Sequence, residues 1–139
     1  MRRVVITGMG LVTSLGCGVE FNWSKLISGE NGIRKIDSFD VSDIPAKIAG
    51  MVPLGDSSAG LFNPDEWVET KDRRRMDNFI VYGLTAAIQA VENSGWLPNL
   101  EEDLFRTGVM IGSGIGGLNE IAKNAILAES GKIRRISPF

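Results

Sequence analysis

The order of apolar and polar residues along the chain predicts strands and helices in turn. Val4–Thr7 is β-branched throughout, which is typical of a short buried strand that enters a glycine turn. Apolar residues at helical spacing predict a helix over Val19–Ile27, which ends before Gly29. A second buried strand is predicted over Thr107–Ile111, and a further helix over Leu118–Leu127. This order predicts an α/β fold, a sheet with helices on its faces.

The longest predicted helix begins after Asp72 or Asp77, either of which can cap it. It runs to about Ser94 and ends before Gly95. Its apolar residues occupy most faces, so we expect the helix to be buried. Gly83 lies among several alanines in its interior, where a glycine costs roughly 1 kcal/mol relative to alanine. These small residues therefore predict that another segment packs closely against the helix.

The stretch 33–68 shows no clear period. It contains three prolines and the run of small residues Gly55–Gly60, so we predict a long irregular region of the kind that often forms an interface. Within it, Ala46–Gly50 is expected to form a short edge strand. The apolar residues that could anchor the region are Phe39, Ile44, Leu61, Phe62 and Trp67.

The composition narrows the chemistry that this chain can perform. Its 139 residues carry a net charge of −2, which provides no bulk basic excess to bind nucleic acid or a membrane surface. There is no histidine, so neither a histidine-based triad nor the commonest zinc ligand is available within the chain, and we expect no metal and no cofactor. A single cysteine excludes an intrachain disulfide and favours a cytoplasmic location. No segment is apolar enough over the length that a transmembrane helix requires.

Two glycine-rich loops follow the predicted strands. Gly8–Thr13 matches a dinucleotide-binding fingerprint only in part, because Thr13 replaces the third glycine and no strand carries the acidic partner. We therefore favour a structural turn over nucleotide binding. Gly112–Gly117 lacks the lysine of a phosphate-binding loop. Ile115 stands alone among glycines there, which suits the lining of an apolar pocket better than a phosphate site.

Two short basic runs contrast with the acidic average of the chain. Lys71–Arg75 and Lys132–Arg135 each carry a local net charge of +3. Such runs are either solvated faces or docking sites for an acidic partner. Cys17 lies between two glycines and has no histidine to activate it, so we interpret it as an incidental thiol and not as a nucleophile.

Four motifs, in this order and spacing, resemble the β-ketoacyl-acyl carrier protein synthase II family, which are condensing enzymes of bacterial fatty acid synthesis. The motifs are Val4–Gly10, Arg74–Gly83, Gly112–Gly117 and Arg135–Phe139. The resemblance covers essentially all 139 residues. It implies the N-terminal part of a thiolase-like fold, a homodimer, and acyl carrier protein in its acyl- and malonyl-loaded forms as partner.

The resemblance also implies an acyltransferase reaction. In this family a cysteine accepts an acyl group from acyl carrier protein, malonyl-carrier protein loses carbon dioxide, and the carbanion attacks the thioester. The family's nucleophilic cysteine and both histidines are expected beyond Phe139, so no catalytic residue is assigned here and the 139 residues alone should be inactive. The alternative is a non-catalytic fragment that binds carrier protein or forms a dimer interface.

Three of the four motifs contain residues to which the resemblance assigns roles. Ile115, next to Gly114, matches the isoleucine that lines the acyl-chain pocket and limits chain length. Ile136 matches a residue near the dimer interface that helps to close the pocket of the other subunit. The positions expected to dock the acidic carrier protein are Lys71, Arg74, Arg75, Arg134 and Arg135.

Overall fold

In the computed structural model, which describes residues 2–136, helices dominate and the strands are short. The helices are α1 (Val19–Ile27), α2 (Thr70–Arg73), α3 (Asn78–Ser94), α4 (Glu101–Arg106) and α5 (Leu118–Glu129). In two antiparallel hairpins, β1 (Val12–Thr13) pairs with β2 (Gly16–Cys17), and β3 (Ile33–Lys35) pairs with β4 (Ile48–Gly50). The described residues form two compact units, the first comprising 2–64 and 85–97 and the second 65–84 and 98–136.

In the first unit, one buried side chain joins α1 to the β1–β2 hairpin. Asn22 is 4% exposed, and its Nδ2 donates to the carbonyl oxygens of Gly16 (3.1 Å) and Gly18 (2.7 Å). Its Oδ1 accepts a hydrogen bond from the hydroxyl of Thr13. The observed bounds of α1 confirm the prediction for this helix at both ends.

The segment before β1 lies against α3 in the same unit. The N–H of Met9 donates to Oδ1 of Asn93 (3.1 Å), and the N–H of Leu11 donates to Oε1 of Gln89 (3.0 Å). Two backbone N–H groups of the segment, two residues apart, are thus bonded to side-chain amides of α3. In a sheet, the same N–H groups would need a neighbouring strand as acceptor.

Two glycines allow this close approach. A Cβ at Gly8 would overlap the carbonyl oxygen of Ala90, and a Cβ at Gly10 would overlap that of Ala86. The prediction that a segment packs against the small residues of α3 is therefore confirmed at this half of the helix. It is wrong at Gly83, where an added Cβ would meet no atom within 4 Å.

The two predicted buried strands are not strands in the structure. Val4–Thr7 and Thr107–Ile111 are both outside any ladder, with Val4 96% and Met110 99% exposed. A strand is stabilised only when neighbours supply hydrogen bonds and cover its faces. Within residues 2–136 no segment pairs with either run, so both predictions are wrong for this structure.

The bounds of α3 confirm the alternative that starts at Asp77, and the helix ends before Gly95, which adopts the left-handed conformation with φ of 63°. Its predicted burial is wrong. Val81 and Thr85 are buried, but Leu84 is 36% exposed and other large apolar residues of the helix are more so. The described residues supply too little apolar surface to cover every face of a 17-residue helix.

The stretch 33–68 contains more structure than the sequence predicts. Strand β4 confirms the edge strand expected at Ala46–Gly50, and β3 is its unpredicted partner. Phe62 is 1% exposed, and its N–H donates to the carbonyl oxygen of Pro53 (2.8 Å), so it anchors the region as expected. Phe39 and Ile44 are 58% and 42% exposed and do not anchor it.

The remaining helices differ modestly from expectation. Helix α5 begins at Leu118 as predicted and ends two residues later than Leu127. Helix α4 was not predicted, because Glu101–Arg106 is short and mostly polar.

Candidate functional site

All of the residues that the sequence assigns to a site lie in the second compact unit. They occupy the turn before α3, the loop before α5 and the segment after α5. In chain order they are Lys71, Arg74, Arg75, Gly114, Ile115, Arg134, Arg135 and Ile136.

The first basic run, Lys71–Arg75, contains one arginine with a structural role. Arg73 forms an ion pair with Asp65 (2.8 Å), and Asp65 also accepts a hydrogen bond from the hydroxyl of Thr70 (3.1 Å). The side chains of the run that face solvent are those of Lys71, Asp72, Arg74 and Arg75. The side chains of the run that face solvent therefore carry a net positive charge even when Arg73, which is paired with Asp65, is left out.

Asp77 determines where α3 begins and so where the basic turn ends. Its Oδ1 accepts the N–H of Asn78 (2.7 Å), and its carbonyl oxygen accepts the N–H of Ile80 (3.0 Å). A carboxylate in this place satisfies a free N–H and complements the positive end of the helix dipole. Arg74 and Arg75 are thereby kept in the turn before the helix, where their side chains reach solvent.

The loop 112–117 presents an apolar side chain next to a tight contact. Ile115 is 78% exposed. A Cβ on Gly116 would lie 2.6 Å from Cζ of Phe79, closer than real Cβ contacts, so the ring occupies the space that a side chain would need. Gly117 adopts φ of 71°, and its carbonyl oxygen accepts the N–H of Ile121 (2.8 Å), which begins α5. The end of the loop is therefore fixed on both sides of Gly116.

The second basic run, Lys132–Arg135, forms a single 3₁₀ turn after α5. The N–H of Lys132 donates to the carbonyl oxygen of Leu127 (2.8 Å), and the N–H of Arg135 donates to that of Lys132 (2.9 Å). Both arginines of the turn are exposed, and Ile136 is half-buried. Ser137–Phe139, which complete the fourth motif, lie outside the described residues.

Charges on α5 are partly neutralised within the helix itself. Lys123 donates to Oε1 of Glu120 (2.6 Å), and this carboxylate, with a smaller contribution from Asp77, raises the pKa of the Lys123 ammonium. Burial raises the pKa of the Tyr82 phenol on α3. Lys123 therefore carries a charge that is paired within its own helix.

The sequence candidates of the first unit have structural roles. Sγ of Cys17 accepts a hydrogen bond from Nε2 of Gln89 (3.2 Å), and the thiol is half-buried. The backbone donors of Met9 and Leu11 are bonded to α3, so this glycine turn does not direct them at a phosphate. This arrangement favours the structural turn over nucleotide binding.

No helix in the range 2–136 combines the length and apolarity needed to cross a bilayer. Likewise, no three side chains of His, Cys, Asp or Glu in the range converge as metal ligands.

The backbone matches that of ketosynthases. A β-ketoacyl synthase from Burkholderia phymatum STM815 matches with a TM-score of 0.71 and 29% identity, over 99% of this chain and 32% of that one. The chain therefore has the architecture of the N-terminal part of a thiolase-like α/β fold, which confirms the predicted fold class although individual strands differ.

The family described as "Beta-ketoacyl synthase, N-terminal domain" matches residues 1–139, and the chain belongs to it. The 3-oxoacyl-(acyl-carrier-protein) synthase 2 of Rhizobium meliloti (strain 1021) is 52% identical over 139 residues, covering 100% of this chain and 33% of the relative. A mitochondrial 3-oxoacyl-(acyl-carrier-protein) synthase of Arabidopsis thaliana is 43% identical, covering 99% and 32%. The chain thus spans about a third of the length of the curated relatives that it matches.

Proposed function

We propose that this protein is a condensing enzyme of fatty acid biosynthesis that joins acyl groups to malonyl units held on acyl carrier protein. The observation that carries the proposal is the match of all 139 residues to the β-ketoacyl synthase N-terminal family, together with 52% identity to a 3-oxoacyl-(acyl-carrier-protein) synthase 2. This chain supplies the N-terminal region of the enzyme.

The reaction proceeds in two stages. First, a cysteine thiolate attacks the acyl thioester of the carrier protein, takes the acyl group and releases the carrier thiol. Malonyl-carrier protein then loses carbon dioxide, and the carbanion attacks the acyl-cysteine carbonyl, with backbone N–H groups stabilising the oxyanion. Collapse of this intermediate returns the cysteine thiolate and leaves a lengthened 3-oxoacyl chain on the carrier. We assign the nucleophilic cysteine and the two histidines to the part of the relatives' length that this chain does not span.

The basic runs are proposed to dock the carrier protein. Lys71, Arg74 and Arg75 face solvent around the start of α3, and Arg134 and Arg135 face solvent after α5. An acidic helix of a carrier protein complements such a surface, which accelerates and orients the encounter. Because each exposed pair contributes under about 1 kcal/mol, the cluster matters more than any single residue.

The loop before α5 is proposed to line the acyl-chain pocket. Ile115 presents an apolar side chain, and the neighbouring Gly114 leaves room beside it. Ile136 is proposed to lie near a homodimer interface and to help close the pocket of the other subunit. The proposal includes a homodimeric, cytoplasmic protein; a dimer at micromolar concentration in analytical ultracentrifugation of the full-length protein would support it, and a monomer would contradict it.

The test of the function is a condensation assay. The full-length protein, as its gene encodes it, is incubated with acyl-carrier and malonyl-carrier proteins, and the carrier-bound products are identified by mass spectrometry. We expect a 3-oxoacyl product whose formation requires both substrates and releases carbon dioxide in equal amount. Failure to form this product with acyl groups of any length would contradict the proposal.

A further inference from the structure

The loop 112–117 is held at one end only within the described residues. A Cβ added at Gly112 or at Gly114 would meet no atom within 4 Å, whereas one at Gly116 would meet the ring of Phe79 at 2.6, 2.7 and 3.2 Å. Of these three glycines, only Gly116 is in close contact with another side chain. Ile115 is directly bonded to this contact point.

Phe79 lies in a helix of the second unit, whereas the loop 112–117 has no regular structure. Phe79 belongs to the first turn of α3, whose start is capped by Asp77, and Val81 two residues later is only 2% exposed. The helix backbone therefore determines the direction in which the Phe79 side chain extends to reach Gly116. The outer edge of the ring, Cζ with Cε1 and Cε2, lies at Gly116, and the Phe79 side chain is 39% exposed, so part of it remains open to solvent or to a ligand.

We propose that Phe79 is a positioning residue for Ile115, and that the contact of its ring with Gly116 sets the acyl chain length that the enzyme accepts. The inference rests on the proposed function, in which Ile115 lines the acyl pocket. Ile115 is one residue from the anchored point, so movement of Gly116 moves the isoleucine with it. Apolar pockets discriminate between ligands that differ by one methylene by about 10-fold or more, so a small displacement of a lining side chain alters selectivity.

The experiment compares chain-length selectivity in variants of the full-length protein. The ratio of kcat/KM for a long-chain and a medium-chain acyl-carrier substrate is measured for the wild type, Phe79→Ala, Phe79→Leu and Gly116→Ala. Phe105→Ala is the matched control, because Phe105 belongs to the same unit and is not among the nearest neighbours of Gly116. Circular dichroism establishes that each variant is folded, and Phe79→Leu decides the question if Phe79→Ala is not.

We expect Phe79→Ala to change the ratio by at least about fivefold, and Phe105→Ala to change it by less than about twofold. Gly116→Ala should also change the ratio, because its methyl group displaces the ring. In an Ile115→Gly background, Phe79→Ala should have no further effect on the ratio, since the side chain that it positions is gone.

Each other outcome contradicts a different statement. An unchanged ratio in both Phe79 variants, with an active wild type, would overturn the positioning role and leave the proposed function intact. A change that persists in the Ile115→Gly background would show that the ring contacts the acyl chain directly, which also overturns positioning through Ile115. A wild type that condenses neither substrate would instead contradict the proposed function.

Discussion

Asn22 shows how much a single side chain contributes to the first unit. It is almost fully buried in the middle of α1, and all of its amide atoms face hydrogen-bond partners in the β1–β2 hairpin or in the turn that precedes the helix. A buried amide with this many partners is stabilising only while every partner remains in place.

Substitution Asn22→Ala removes the three side-chain bonds, so the carbonyl oxygens of Gly16 and Gly18 and the hydroxyl of Thr13 each lose a partner, and Gly18 keeps only the backbone N–H of residue 22 (3.2 Å). We expect a loss of about 2–4 kcal/mol in the free energy of unfolding, measured by urea denaturation of the full-length protein. Ser24→Ala, an exposed position on the same helix, is the control and should change stability by less than about 0.5 kcal/mol. Equal effects of the two substitutions would show that the buried network contributes little.

Gly10 provides a second test at the residue scale. Gly10→Ala would place a methyl group on the carbonyl oxygen of Ala86, and overpacking of this kind costs about 1–3 kcal/mol or more. Gly83 lies in α3, as Ala86 does, but a Cβ there would meet no atom within 4 Å. Gly83→Ala should therefore leave the free energy of unfolding unchanged or raise it by up to about 1 kcal/mol. Thermal unfolding of both variants checks the contrast, and a stable Gly10→Ala would mean that the segment does not lie against α3.

At this scale the sequence predicts chemistry better than contacts. The absence of histidine, the two basic runs and the isolated isoleucine of the second glycine loop are visible directly. The internal ion pair of Arg73 and the contact of Phe79 with Gly116 are not, because they join residues whose proximity depends on the fold. The glycines of the loop indicate a close approach somewhere, but they do not identify its partner.

The turn between α2 and α3 is the element on which the docking hypothesis rests. We expect the double substitution Arg74→Glu and Arg75→Glu to weaken binding of acyl carrier protein by at least about 10-fold at low salt and to flatten the dependence of affinity on salt concentration. Surface plasmon resonance at several salt concentrations measures both effects.

The control for this substitution is Lys123→Glu, since Lys123 is already paired with Glu120 within α5. It should weaken binding by less than about threefold. An unchanged affinity in the double arginine variant at low salt would contradict docking at this turn.

Among the elements, the longer helices follow from the sequence, whereas the two strands expected to be buried do not form. The bounds of α1 and the start of α5 are set by local signals, namely apolar spacing and glycines at the ends. Val4–Thr7 has an equally clear local pattern, yet it is not a strand, because a strand depends on partners distant in sequence. The residue pattern thus indicates that a segment is able to form a strand, but it does not indicate whether a neighbouring strand is present to pair with it.

The whole molecule has a small apolar core for its size. Within the described residues, the buried apolar side chains are those of Ile36, Phe62, Val68 and Val81. The accessible surface is 11214 Å², whereas a folded monomer of this length exposes roughly 7,000 Å². The excess includes many large apolar side chains, such as the runs at Val4–Ile6 and Val109–Ile111.

We therefore expect the 139-residue polypeptide, produced by itself, to bind a hydrophobic dye and to self-associate. Dye fluorescence should rise several-fold above that of a compact control protein, and light scattering after gel filtration should show species larger than a monomer. A dye-negative monomer that unfolds cooperatively would contradict this expectation.

The exposed runs at Val4–Ile6 and Val109–Ile111 also have a consequence for biosynthesis. In a protein of the relatives' length, this chain is about a third of the whole, and its family is described as an N-terminal domain, so it is made before the larger part of the polypeptide. At about 5–20 residues per second, the remaining synthesis takes on the order of tens of seconds, during which these apolar runs have no strand neighbours. Until the rest of such a protein has been made, the nascent chain therefore displays apolar surface of the kind that holding chaperones bind, and we expect its folding yield to fall when they are scarce.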